Sequence, residues 1–142
     1  TVMGAKVARP DRPAIAYVGD GAWGMSLAEV MTCVRENIPA IAVVFNNQQW
    51  GAEKKNQIDY YGNRFVGTNL VNPSFAEIAK AMGAEGMRVD HADQIGDALA
   101  AAVKSNRPTV LDVQLTRELG EPFRRDALKK PVRYLDKYKS YV

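Results

Sequence analysis

One cysteine and one histidine stand among 142 residues, and no stretch approaches the roughly 20 consecutive apolar residues that a bilayer-spanning helix needs. The single Cys33 excludes an internal disulfide and fits a reducing cytoplasm. It sits in an apolar helical pattern, which makes it core rather than nucleophile. The single histidine, His91, stands just before another helical pattern and leads the chain into it rather than serving catalysis. Thr1 to Lys6 has neither the apolar region of a signal peptide nor an initiator methionine, as expected of a piece of a longer protein. Internal repeats and low-complexity segments are absent.

An excess of one charge sign is also lacking over most of the chain. The net charge is +3, but residues 117–142 hold eight Lys/Arg against four Asp/Glu, and the rest hold eleven against twelve. The basicity therefore belongs to the tail, which faces an anionic substrate, a partner subunit or water. A sparse tail with interleaved acids is a poor match to nucleic acid, which is not an expected partner. What is present suits one soluble globular domain: 46% hydrophobic and 25% charged residues, enough for a single core.

Residues 14–18, Ala-Ile-Ala-Tyr-Val, read as a strand buried on both faces and ended by the turn residues Gly19, Asp20 and Gly21. From Ser26 to Glu36 the period becomes helical, with Leu27, Val30, Met31 and Val34 on one stripe. Ser26 followed by Glu29 has the form of a capping box, and Asn37 and Pro39 mark the stop. A second buried strand at 40–45 ends in Asn46-Asn47. The segment 48–72 is polar and reads as a long functional loop with one helical turn at most. Ser74–Met82 is an amphipathic helix, Gly86–Val89 a strand, Asp93–Ser105 a helix and Thr109–Leu115 an alternating strand. The alternation predicts an α/β fold with a mainly parallel sheet flanked by helices, over a domain of residues 1–116, followed by a basic tail at 117–142.

Ligands of open α/β sheets bind beyond the carboxyl ends of the strands. If the first two strands are neighbours, Asp20 and Asn47 meet at one rim. Asp20 offers a hard anionic oxygen and Asn47 a neutral one, a set that suits magnesium and leaves positions for diphosphate oxygens, a backbone carbonyl and water. Gly19 and Gly21 let the backbone approach a ligand closely. The N–H groups of Gly21, Ala22 and the next turn precede a helix, an arrangement that favours phosphate. Gly-Asp-Gly alone is a common turn, and Asn-Asn alone is turn chemistry too. Both at strand ends, across one crossover, are a stronger signal.

The run Gly19 to Gly51, G-D-G-A-W-G-M-S-L-A-E-V-M-T-C-V-R-E-N-I-P-A-I-A-V-V-F-N-N-Q-Q-W-G, resembles the thiamine-diphosphate motif of acetolactate-synthase-like carboligases and decarboxylases. The motif match covers residues 14–51, and the likeness of fold extends to Leu115. The resemblance implies a thiamine-diphosphate-binding fold in which Asp20 and the Asn47 side chain bind the metal, Mg2+, with the Gln49 carbonyl as a further ligand. It also implies that Gly21 and Ala22 contact the diphosphate. Residues 50–57, 79–86 and 117–139 are similar to the sulfoacetaldehyde acetyltransferase family, whose members cleave sulfoacetaldehyde with phosphate to acetyl phosphate and sulfite. Members of that family can carry His where this chain has Asn46; the departure leaves Asn47 untouched. Such an enzyme binds a sulfonate and a phosphate. Lys54, Lys55, Arg64, Arg124 and Arg125 are the candidates, each weighed against an ordinary solvated charge.

The resemblance further implies that the activating Glu comes from an N-terminal pyrimidine-binding domain, of the same or a neighbouring subunit, in a homo-oligomer. Two other readings stay open. One is another thiamine-diphosphate enzyme acting on 2-oxo acids. The other is a non-catalytic α/β module in which Asp20 is a turn residue only. Glu53 reads as a loop salt-bridge partner, Trp23 and Trp50 as packing, Tyr60 and Tyr61 as lining the site or a subunit contact. Tyr134, Tyr138 and Tyr141 read as the apolar seam of a helix expected to lie on a partner. With the activating Glu outside these residues, the isolated chain is expected to be inactive and to bind cofactor weakly; turnover by the purified chain would overturn this.

Overall fold

The computed structural model describes residues 1–119. Arg124, Arg125 and the three tail tyrosines lie outside the described residues. The chain begins with α1 (Val2–Ala8), which the sequence pattern does not announce. Buried Lys6 ties its end to the following loop, donating to the carbonyls of Pro10 at 3.0 Å and Arg12 at 2.9 Å.

Four strands follow: β1 (Ala14–Gly19), β2 (Ala40–Asn46), β3 (Glu85–Val89) and β4 (Thr109–Gln114). All pairings are parallel, in the order β1-β2-β4-β3. Ala42, Val44 and Val110 face one side, where they meet Val30 of α3 (Glu29–Arg35) and Phe75 and Ala79 of α5 (Phe75–Ala81). Ile41, Val43, Leu111 and Val113 face the other, against Ala102 of α6 (Gln94–Ser105). The alternation along each strand thus supplies two cores and a helix–sheet–helix sandwich.

Three sequence expectations are corrected. First, β1 is not buried on both faces. It has one pairing partner, and Tyr17 is 67% exposed, its ring stacked on Phe45 at 6.0 Å. The strands buried on both faces are β2 and β4, which occupy the two central places.

Second, Ser26 does not cap a helix. The chain turns helical at once after β1, giving α2 (Asp20–Ser26), and α3 starts three residues later without a side-chain cap. Leu27 and Ala28 stay in right-handed helical geometry, and tight bonds from Val30 N–H to Leu27 O and Met31 N–H to Ala28 O join the two helices. The predicted stop holds: Asn37 is left-handed at φ 53°, with Ile38 N–H bonded to Cys33 O and Asn37 N–H to Val34 O.

Third, the polar segment holds more than one helical turn: it contains α4 (Gly51–Tyr61), 11 residues with none fully buried. Its helix rests on good helix formers such as Ala52, Glu53, Lys54 and Lys55 and on a 2.6 Å Lys55–Asp59 ion pair one turn apart. A hydrophobic period cannot reveal a helix that has no buried side.

α5 follows the sequence reading closely. Ser74 caps it, accepting from Glu77 N–H at 3.3 Å. This helix sits so low on β3 that a Cβ at Gly86 would collide with the backbone of Ala76. Gly86→Ala must therefore push α5 off the sheet. We expect a loss of about 3 kcal/mol, measured as a lower urea midpoint at unchanged slope.

Candidate functional site

Gly19 pairs with Phe45, so Asp20 and the Asn46-Asn47 pair leave adjacent parallel strands at one rim. The neighbourhood inferred from sequence is present. Asp20 is the first residue of α2 and only 3% exposed. Its Oδ2 accepts a 2.6 Å hydrogen bond from Asn72 Nδ2. No cationic side chain among the described residues pairs with it, and its Oδ1 accepts no side-chain bond there. Among the described residues no three His, Cys, Asp or Glu gather. A metal at this rim would have to be held by mixed carboxylate, amide and carbonyl oxygens.

Asn72 Nδ2 also donates to Asn46 Oδ1 at 3.0 Å, and Asn46 Nδ2 donates to Asp112 Oδ1 at 3.0 Å. Asp112, fully buried in β4, also accepts from Gln114 Nε2 at 2.8 Å and, through Oδ2, from Phe75 N–H at 2.9 Å. The sequence reading missed both Asn72 and Asp112. Asp112 did leave a signal, a carboxylate inside an otherwise apolar strand. Asn72 stands next to Pro73 and is indistinguishable from a turn residue.

Asn47 is half-buried, with its Nδ2 directed toward Gly51. Gln48 takes a left-handed φ of 55°, and its Oε1 receives Arg117 at 3.1 Å. Gln49, 2% exposed, bridges Asn69. The flanking bonds run from Trp50 N–H to Thr68 O and from Leu70 N–H to Gln48 O, so the Gln49 carbonyl stays outside the pairing. The Gln49 side chain donates to Arg117 O at 2.9 Å. Arg117 also reaches Leu70 O, making it a clamp on this exit that the sequence did not disclose.

Gly21 and Ala22 are in the first turn of α2, where backbone N–H groups lack helical partners. A Cβ on Gly21 would lie 2.8 Å from the fused ring atoms of Trp50. Trp50 thus packs directly on the Gly-Asp-Gly turn and joins it to the start of α4.

The candidate cations divide. Lys54 Nζ bonds Gln49 Oε1 at 3.1 Å and Asn69 Oδ1 at 3.0 Å, and lies 5.6 Å from the Phe65 ring centroid. Lys55 is taken up by Asp59, and Arg64 bonds Tyr61 O at the end of α4. Glu53, expected in a salt bridge, forms none among the described residues. His91 N–H bonds Gln94 Oε1 and its carbonyl accepts Gln94 N–H, the lead into α6 that was expected.

An apolar cavity of about 440 Å3 lies elsewhere, toward the strand starts at Ala40 and Thr109. Cys33 borders it, and burial, followed by the charge of Glu29, pushes the thiol above its ordinary range.

The model of the thiamine pyrophosphate enzyme family, C-terminal TPP binding domain, matches residues 1–113. The chain belongs to that family. Sulfoacetaldehyde acetyltransferase from Alcaligenes xylosoxydans xylosoxydans is 62% identical over 100% of this chain, and that from Castellaniella defragrans 59% over 100%. The chain spans 24% of the length of each. Benzoylformate decarboxylase from Polynucleobacter necessarius shares the fold, with a TM-score of 0.77 at 26% identity over 85% of this chain and 23% of that one. The cofactor of the family is thiamine diphosphate, and the mainly parallel α/β fold is the one the sequence implied.

A raised thiol pKa means that the unfolded chain loses this proton first. The stabilisation is intact below about pH 8.5 and is lost as pH rises through the folded value. Cys33 should accordingly react with iodoacetamide at pH 8.5 at least about tenfold more slowly in the folded protein than in urea.

Proposed function

We propose that this domain supplies the diphosphate and magnesium half of the active site of a thiamine-diphosphate-dependent sulfoacetaldehyde acetyltransferase. The supporting observation is Asp20: a buried carboxylate whose side-chain partner is one neutral amide. Such a group is costly unless a cation arrives beside it. The donor set fits that cation. Asp20 Oδ1, the Asn47 side-chain oxygen and the Gln49 carbonyl are hard oxygens of the kind magnesium takes, with room for cofactor phosphates in an octahedral shell.

Gly21 and Ala22 would offer first-turn N–H groups to the diphosphate, and the bare Cα of Gly19, open on its side-chain face, would let it approach. Thiamine diphosphate, when bound, supplies a thiazolium ring that stabilises negative charge on carbon. The residues of this chain then hold, orient and neutralise. Lys54 is the described cation best placed to meet a sulfonate or phosphate, because it bonds the side chain of Gln49. Arg124 and Arg125 remain candidates of the tail, and Lys55 and Arg64 are weaker ones because each is engaged elsewhere.

In the whole protein the activating Glu and the pyrimidine-ring site come from an N-terminal domain, of the same or a neighbouring subunit. The reading is of a cytoplasmic homo-oligomer that converts sulfoacetaldehyde and phosphate to acetyl phosphate and sulfite.

Calorimetry on the whole enzyme tests this. Thiamine diphosphate should bind in a magnesium-dependent manner, and Asp20→Ala and Asn47→Ala should each weaken binding at least about 100-fold, as loss of a charged or coordinating partner does. Acetyl phosphate should form only when inorganic phosphate is supplied. Equal binding by wild type and both variants would sink the metal-diphosphate reading.

A further inference from the structure

The hydrogen-bond circuit behind Asp20 has only one self-consistent polarity. The Asp112 carboxylate accepts only, so Asn46 must turn its NH2 toward it and present Oδ1 to Asn72. Asn72 must then present NH2, and its second hydrogen goes to Asp20 Oδ2. The circuit closes through the chain itself. Pro73 restricts the backbone of Asn72, and two residues on, Phe75 N–H returns to Asp112. Both hydrogens of the Asn72 amide are committed, and neither Asn46 nor Asn72 can flip without facing like against like.

We infer that Asn72 is a positioning residue that keeps Asp20 a one-oxygen ligand and thereby sets which divalent cation the rim prefers. This rests on the reading of Asp20 as a cation ligand. With Oδ2 holding a 2.6 Å hydrogen bond, Oδ1 is the oxygen turned to account. A small cation of strict octahedral geometry takes single carboxylate oxygens at short distance. A larger one gains from gripping both oxygens of a carboxylate. The Asn72 amide opposes the second mode by occupying one oxygen and fixing the carboxylate plane. Removing it frees Oδ2, a change that costs magnesium its oriented oxygen and gives calcium a second one.

The test measures thiamine diphosphate affinity of the whole enzyme with Mg2+ or Ca2+ as the sole divalent ion, in wild type, Asn72→Ala and Asn72→Ser. Serine has one hydrogen and a shorter reach, so it cannot serve both acceptors, and it keeps the measurement available should the alanine variant not fold. The magnesium-to-calcium affinity ratio should fall about tenfold in both variants, the size of one charge-assisted hydrogen bond. A general loosening of the fold would weaken both ions alike and leave the ratio unchanged. An unchanged ratio in a folded variant overturns the proposal while leaving the metal site standing. Cofactor binding by wild type that needs neither ion overturns the reading of Asp20, and this inference with it.

Discussion

The carboxylate of Asp112 is the point at which the core and the rim become one object. It is fully buried in a central strand, yet every bond it accepts reaches a different part of the chain: Asn46 on the neighbouring strand, Gln114 two residues on, and the first amide of α5. A buried charge is tolerable only with such a set of donors, and the donors in turn have no other partner of comparable strength. The position of α5 on the sheet and the orientation of the polar groups at the rim are therefore consequences of the same side chain. The close seat of Ala76 on Gly86, one residue further along α5, reinforces the constraint at the same end of that helix.

From that anchor the geometry of the rim follows outward. Asn46 closes β2 with its side chain turned inward, and the next residue, Asn47, is half-buried and takes no part in that circuit. The chain then reverses through the left-handed Gln48, is stitched to residues 68–70 by a single bridge and is held by Arg117. Trp50 lies on Gly21 at the end of this turn. The two halves of the motif, far apart in sequence, are thus in contact through an aromatic ring on one side and an amide circuit on the other.

Much of this was legible in advance because it rests on local pattern. Buried strands of alternating or continuous apolar residues, turn residues at their ends and the helical stripe of Ser74–Met82 each carry their own signature. That the strand ends carrying Asp20 and the Asn-Asn pair lie side by side was readable because parallel topology admits few alternatives. Other features were hidden for physical reasons. α1 and α4 bury too little apolar surface to imprint a helical period, and α4 contributes no buried residue at all. The immediate strand-to-helix switch at Asp20 was masked by glycines that read as a turn. The edge position of β1 depends on strand order, which composition does not encode. Asn72 became significant only through contacts made 26 and 52 residues away in sequence.

α4 also divides the labour of the sequence. None of its residues belongs to either core cluster, so its exposed positions, such as Ala52 and Glu53, can change without disturbing the packing of the sandwich. Yet it begins at Trp50, carries Lys54, and ends where Arg64 closes the turn. Residues that confer folding and residues free to drift are thus physically segregated within a few ångströms of the rim. A lineage built on this domain can vary the exposed face of this helix in small steps, without passing through variants that fail to fold.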